Sequence, residues 1–465
     1  MTAPLDRRDF LKTAGAQAGL IVAGGSSLGV AVEQLPAQQP RPRAPGISTA
    51  APDVVVVGAG CIGGWTAHHL QLMGAKVRVI DAYGPGNSRS TSGDFTRGFR
   101  TSYGDRPQGE QWMLWAHEAI AKWNEWNEIF WKEMGARVFF QTGDLITRAA
   151  WEPFLTKTRE LWVKNKIPHE TLTVDEARYR WPVFNLDGIN AVLYEPQAGV
   201  GRARRSCELV AARIVKMGGT LTIERVTTIM RGDGQIDHLL LSNGDQVRAG
   251  HYVFACGPWL GKVFAGLLGP RMRTPMGNVF YMATPVGDPR FQAPHMPSHN
   301  FPGITGWPAV PIDNHGFRTR IGGGQAGDPD SSERMVGAPN VARLRTFLAE
   351  RFPLLKDAPI NEQRACHYES TVSRNFIIDK HPDLKNAWIA GGGNAEAFKQ
   401  GPVFGEYVAK RVLGKPTDPA LTEAFRIPTT TYDEEERKAE EAAKAAGQPA
   451  PARRPGGDSD YQDDV

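Results

Sequence analysis

Cysteine is scarce in this chain. Four occur in 465 residues, at Cys61, Cys207, Cys256 and Cys366, and none stands in a Cys-x-x-Cys or other metal-ligand spacing. That excludes zinc modules and disulfide-framework architectures. The histidines are scattered as well, so no metal centre is expected. An excess of one charge is also missing. Lys and Arg number 54 against 50 Asp and Glu, a net charge of +4. With no basic stripe interleaved with aromatics, nucleic acid is not expected as a partner. The chain is longer than one hydrophobic core usually serves, and two domains are expected.

Long apolar runs are rare, and the nearest to one lies at the start. Asp6-Arg7-Arg8-Asp9-Phe10-Leu11-Lys12 resembles the twin-arginine export motif of bacterial signal peptides. Residues 13–32 then carry no charge and are rich in Gly, Ala and Ser. That run is long enough to span a bilayer, but its small residues argue against a permanent anchor. Residues 36–45 form a Pro-rich linker without a clear cleavage site. Residues 1–45 therefore read as a signal peptide and linker. They imply the twin-arginine machinery as a partner and a periplasmic or secreted destination. At the other end, residues 428–465 read as a low-complexity, disordered tail; within it, Asp433-Glu434-Glu435-Glu436 and the Ala/Glu/Lys run after them could make a solvated helix.

What the sequence does contain is a nucleotide-binding signature. Val54, Val55, Val56 and Val57 make a short continuous apolar run, the pattern of a fully buried parallel strand. It stops at Gly58-Ala59-Gly60-Cys61-Ile62-Gly63, a G-x-G-x-x-G turn. A helical pattern continues to about Met73 and is closed by Gly74; residues 76–80 read as a second strand ending at Asp81. Each part has a physical reason. Gly58 allows a tight turn, Gly60 lets backbone approach a pyrophosphate, and Gly63 lets helix and strand pack closely. The helix N-terminus offers free N–H groups and a positive dipole end to phosphate. Asp81, about twenty residues on, can accept hydrogen bonds from a ribose diol. FAD and NAD both use such a unit.

The following stretch, residues 88–104, is rich in small hydroxyl residues. It carries Arg97 and Arg100 three apart, on one face if the segment is helical. From here the chain resembles the monomeric sarcosine oxidase branch of the D-amino-acid oxidase superfamily. The resemblance is carried by DVVVVGAGCIG, by VIDAYGPG and by S-x-S-G-D…T-R-x-x-R…Y-G. Near the C-terminus it returns in RACHYESTVSRNFIIDKHP and WIAGGGNAEAFKQGPVFGEYVAKRVLG. It is looser in EPQAGVGRARR and YVFACGPW between them, and spans roughly residues 53–427.

The resemblance implies an α/β fold, a glutathione-reductase-like FAD-binding Rossmann domain, with an α+β second domain whose mixed sheet roofs the substrate. The FAD domain is assigned residues 50–105, 195–268 and 364–427, and the substrate domain 106–194 and 269–363. The second domain thus receives the aromatic-rich helix at 112–133 and the short strands of 278–320. Implied cofactor contacts are Gly58, Gly60, Cys61, Ile62, Gly63, Asp81, Ala82, Ser90, Ser92, Arg97, Val226, Gly257, Gly392, Gly393 and Lys399. Cys366 matches a cysteine that bonds covalently to the flavin, and Arg364 and His367 would favour its thiolate. Arg100 and Lys399 would grip a substrate carboxylate and set the substrate over the flavin. Trp307 would wall the pocket.

Three departures bear on this. Ala395-Glu396-Ala397 stands where the family has Gly-His-Gly, which leaves Glu396 either binding a cationic amine or pointing away. Arg318 aligns with a lysine that promotes reaction with oxygen. One residue is inserted in Gly93-Asp94-Phe95-Thr96-Arg97. The expected activity is oxidation of an amino acid or N-methyl amino acid to an imine by a monomer, with oxygen giving peroxide. The alternatives are a dehydrogenase of the same fold passing electrons to a quinone or cytochrome, and a flavin-holding binding or assembly protein without turnover. The export reading has its own test: Arg7→Lys with Arg8→Lys should leave flavin-loaded protein in the cytoplasm on cell fractionation. Unchanged delivery of the double variant would remove the twin-arginine assignment.

Overall fold

Val54–Val57 is an inner strand of a six-stranded sheet. The computed structural model of the chain describes residues 52–446 except 105, 311, 314 and 323–325. The signal peptide and linker of the sequence reading, and residues 447–465 of the tail, lie outside the described residues. The sheet runs Ile377–Lys380, Ala387–Gly391, His251–Phe254, Val54–Val57, Val77–Asp81, Thr220–Ile223. All neighbours pair in parallel except Ile377–Lys380, an antiparallel edge strand. Both faces are covered, so Val54, Val55 and Val56 are fully buried, as a valine run at a parallel strand requires.

The Cys61–Leu72 helix is the first crossover, and Gly74 ends it at φ +97°. Gly58 makes the turn before it at φ +113°, where a Cβ would lie 2.2 Å from the Ala255 carbonyl oxygen. The last helix of this unit, Gly401–Val412, crosses the first at close range, since a Cβ on Gly405 would meet Trp65 at 2.5 Å.

A second sheet of eight strands carries Ile360–His367, Met276–Met282, Phe317–Ile321, Ile304–Trp307, Ser298–Phe301, Asp144–Arg148, Ala191–Glu195 and Glu170–Leu172 in that order. It is antiparallel except where Ser298–Phe301 meets Asp144–Arg148. Phe280, Phe291, Phe301, Phe317, Phe347 and Phe352 form the core on its back.

Two expectations are corrected, and one point left open is answered. The Gly109–Met134 helix, assigned to the second domain, packs on the dinucleotide unit: Trp123 and Trp126 meet Trp65 edge-on, and Trp112 stacks on Phe376. Its buried tryptophans recur three and eleven residues apart, one stripe of a helix, and those aromatics are what the stripe meets. Residues 96–99 are a strand and not a helix; it pairs with Gly199–Arg202, which also pairs with Phe139–Gln141. The tail begins ordered. Tyr432–Ala445 is a helix opened by a Thr431–Glu434 capping box. Tyr432 donates to Ser370 Oγ at 3.2 Å and Arg273 pairs with Glu436, so the first turn is docked.

Gly58→Ala should therefore be costly. The new methyl meets backbone at a φ that L residues rarely adopt, a combination that costs roughly 3 kcal/mol or more. Thermal unfolding should show a clear drop. An unchanged melting temperature would mean that the turn and the Ala255 strand end adjust freely.

Candidate active site

The carboxyl ends of the five parallel strands open on one cavity of about 330 Å³. Val57, Asp81, Glu224, Ala255 and Gly393 each reach it from the end of a different strand. This is where an open α/β sheet binds ligands. The glycine turn supplies Gly58, Gly60, Cys61 and Ile62 to its wall. Ala82, Ser90 and Ser92 come from the loop after the second strand, Arg97 from the Thr96–Phe99 strand that follows, Val226 from the start of the Val226–Gly232 strand and Gly257 from a later turn. Asp81 ties the two turns together. Its Oδ2 accepts from Ala59 N at 2.7 Å, and Oδ1 accepts from Tyr83 N and Gly84 N at 2.8 Å. Ser92 Oγ accepts from Cys61 N at the helix start, 3.0 Å. Four expected contacts, Gly63, Gly392, Cys366 and Lys399, are not on this wall. A Cβ on Gly63 would lie 1.9 Å from Gly58 O, and one on Gly392 2.8 Å from Thr371 Cγ2, so both glycines serve packing.

A second cavity of about 60 Å³ adjoins the first and shares Thr91, Arg97, Tyr368, Ala395, Glu396 and Phe398 with it. Arg100, Trp307, Arg318, Cys366 and Lys399 line this smaller space and not the larger one. The expected chemistry-bearing residues are therefore gathered, but their partners were not foreseen.

Arg100 and Lys399 converge on a carboxylate that belongs to the chain. Arg100 Nη2 donates to Glu396 Oε1 at 3.0 Å, and Lys399 Nζ is bonded to Glu396 Oε2. Tyr103 completes the group, donating to Glu396 Oε2 at 3.2 Å and accepting from Lys399 Nζ at 2.7 Å. All four residues are buried. Burial pushes the Glu396 carboxyl up, but Lys399, Arg100 and Arg106 outweigh it and hold the group well below the usual carboxylate range. Lys399 feels one anion against burial and two arginines, and its ammonium is pushed down to about 8. Glu396 thus does not point away: it bridges the two cations.

A matching arrangement lies around Arg318. This residue is 1% exposed, donates to Asp94 Oδ2 at 2.8 Å, and sits 3.8 Å above the Trp307 ring centre. Asp94 also pairs with Arg97 and accepts from Tyr281 OH at 2.7 Å. Burial opposes ionisation of Asp94, and Arg318, Arg97 and Arg364 overcome it. The charge expected at Arg318 is thus shared with Asp94.

The thiolate expectation for Cys366 is corrected. Burial pushes its thiol up, and Arg364 only partly offsets this. Arg364 spends its donors on Gly93 O and Ser88 O, at 2.8 and 2.6 Å, and His367 Nδ1 lies 2.9 Å from Thr274 O.

Several residues here escaped the sequence reading. Glu369 is buried against the larger cavity, accepts from Gly393 N at 2.8 Å, and is pushed up to about 7 by burial. It sits inside the block with Cys366, three residues after it. Asp144 and Glu195 stand opposite each other on paired strands, and burial pushes them to about 6 and about 7. Only the pairing reveals them.

Residues 53–411 match the protein family described as FAD dependent oxidoreductase. Among curated proteins, the chain is 27% identical over 404 residues to a monomeric sarcosine oxidase of Bacillus sp. (strain B-0618), covering 81% of this chain and 98% of that one. It is 24% identical to an N-methyl-L-tryptophan oxidase of Yersinia pestis (strain Pestoides F), with 81% and 98% covered. Among solved structures, glycine oxidase from Geobacillus kaustophilus superposes with a TM-score of 0.69 at 20% identity, covering 82% of this chain and 100% of that one. Fructosamine oxidase from Aspergillus fumigatus gives 0.68 at 20% identity, with 82% and 90% covered. At these identities the superpositions show the shared fold.

The buried acid pair generates a pH prediction. Glu195 has its pKa raised from 4.5 to about 7 by folding. The folded state therefore holds this proton more tightly than the unfolded chain. The stabilisation is complete below the ordinary pKa and is lost as pH rises through about 7. Glu195→Gln should flatten the fall in denaturant midpoint over that window. An equally steep fall in the variant would assign the dependence to other groups.

Proposed function

The chain belongs to the family of FAD-dependent oxidoreductases, and on that premise we propose that it oxidises the C–N bond of an amino acid or N-methyl amino acid to an imine, with oxygen as acceptor. The observation that carries this reading is the pair of adjoining cavities. The larger lies at the strand ends with a glycine turn and Asp81, and the smaller holds buried cations under Trp307. The residues fit the cofactor: Gly60 has no side chain to block the turn, and a Cβ there would stand 3.3 Å from Ser92 Oγ. Gly58, Gly60, Cys61, Ile62, Ser92 and Gly393 would hold its phosphates and ring, and Asp81 its ribose. Bound FAD supplies the two-electron acceptor.

The chain's own contribution is positioning and exclusion of water. Trp307, Phe398 and Tyr368 wall the smaller cavity, so a reacting carbon there is shielded. Loss of a hydride from carbon and a proton from nitrogen gives the imine, which water hydrolyses. Oxygen takes both electrons and two protons and leaves as hydrogen peroxide. The cationic surroundings disfavour an ammonium, so the amine enters as its free base, and no added enzymic base is needed.

Cys366 is proposed as a covalent tether for the flavin, since it lines the cavity that adjoins the larger one. The arrangement of Arg318 favours a second reading, a dehydrogenase using a quinone or cytochrome. Its charge is shared with Asp94, which weakens it as an aid to oxygen. Export by the twin-arginine route and a monomeric state belong to the same proposal.

Amines and amino acids should bleach the flavin anaerobically, and air should restore it with one peroxide per turnover. Bleaching with dye-only reoxidation would favour the dehydrogenase, and no bleaching by any amine would remove the enzyme reading. Acid precipitation should leave the flavin in the wild-type pellet and release it from Cys366→Ser. Free FAD from the wild type would rule out the tether.

A further inference from the structure

The two cations of the smaller cavity are already matched to a carboxylate. Arg100 and Lys399 both bind Glu396, one to each oxygen, and Tyr103 bonds to the second. Lys399 Nζ also donates to the Glu396 carbonyl at 3.1 Å. A substrate carboxylate that took the place between these two cations would have to evict Glu396. That exchange leaves one buried carboxylate where another stood and strands the displaced glutamate without its partners, which is unfavourable.

Glu396 is also held from its own side. Asn394 fixes the loop, with its Nδ2 donating to Gly392 O at 2.6 Å and Asn375 O at 3.1 Å, while its Oδ1 accepts from Thr371 N at 2.9 Å. Glu396 N donates to Gly393 O at 2.8 Å. Asn394 and Ala395 sit at φ +46° and +61°, a left-handed pair without glycine. Such a pair persists only where the surroundings over-determine it. Eviction would have to undo this loop.

Building on the amine-oxidising reading above, we infer that Glu396 is a specificity-determining residue that occupies the Arg100–Lys399 pair, so that the substrate carries no carboxylate docked there: its reacting carbon bears an amine but not a carboxylate. An amino acid would then be oxidised at a nitrogen remote from its carboxylate or from the N-alkyl side. This class also suits the charge of the cavity. Arg97 and Arg318 share Asp94 as Arg100 and Lys399 share Glu396, and cations beside the substrate favour the uncharged amine over an ammonium.

The test uses flavin-loaded wild type and Glu396→Gln. Matched pairs are compared by anaerobic flavin reduction: phenethylamine against phenylalanine, and pentylamine against norleucine, with both enantiomers of each acid. The amine should reduce the wild-type flavin at least tenfold more efficiently than its acid, a ratio of roughly 1.4 kcal/mol, and Glu396→Gln should move the preference toward the acid by a similar factor. A wild type that prefers the acids, with the preference unchanged in the variant, overturns the inference and leaves amine oxidation standing. Propionate is titrated in parallel, following the flavin spectrum, because binding needs no turnover. It should bind Glu396→Gln at least tenfold more tightly than wild type. Equal binding to both overturns the inference whatever the amines do. If no pair reduces the flavin, the propionate comparison still decides on Glu396. Should the variant not accumulate folded, the wild type decides alone: tight propionate binding overturns the inference, and none supports it.

Discussion

Buried charge, divided so that each carboxylate serves two cations, is the constraint on which the region around the smaller cavity depends. Asp94 serves Arg97 and Arg318; Glu396 serves Arg100 and Lys399. Removing one member of a buried pair typically costs about 3–5 kcal/mol, because the survivor keeps its desolvation penalty and loses its counter-ion. The members come from distant parts of the chain. Arg97 stands on the strand that follows the dinucleotide unit and Arg100 just after it, Arg318 on the eight-stranded sheet, and Glu396 and Lys399 before the Gly401–Val412 helix. These ion pairs therefore bind the second sheet and the C-terminal turn to the same short strand.

That strand is placed by backbone geometry further out. Five parallel strands end on one side of the sheet, and their turns leave space for a ligand because Gly58 and Gly60 have no side chain. The aromatic stripe of the Gly109–Met134 helix then fixes the floor. Trp123 Nε1 donates to the Lys399 carbonyl, and Trp112 Nε1 to Asn375 Oδ1 at 3.0 Å. A helix that from sequence alone belongs to the roof thus supports the segment bearing Glu396 and Lys399.

The sequence showed what is local. Four valines, a glycine turn and an acid about twenty residues later specify a strand, a helix and a second strand by short-range rules alone. The Thr431-x-x-Glu434 capping box was equally local, yet the polar composition of the tail hid it. What stayed out of reach depends on distance. Glu396 and Lys399 are three apart and their pairing is readable; Arg100 lies 296 residues from Glu396, and nothing in the sequence says that they meet. Asp94 was legible as part of the S-x-S-G-D match, but nothing in the sequence says that it meets Arg318, 224 residues away. Cys366 was legible as a position but not as an acid, since the burial that raises its thiol is a tertiary property.

The buried acids fall into two classes, and the difference follows from their neighbours. Asp94 and Glu396 each face two cations and stay ionised far into acid. Asp144, Glu195 and Glu369 are equally enclosed but have no paired cation among the described residues, so desolvation dominates and their pKa values climb to about 6, 7 and 7. The first class stabilises the fold above the ordinary carboxylate pKa; the second opposes it as pH passes through neutrality. Asp144 is the informative case, because Arg100, Arg148 and Lys399 all lower its pKa and still do not prevail. Arg100 and Lys399 are committed to Glu396, and a cation shared in this way screens a third carboxylate only weakly. The same commitment that leaves Asp144 inclined to hold its proton makes the pair a poor landing site for a carboxylate arriving from solvent.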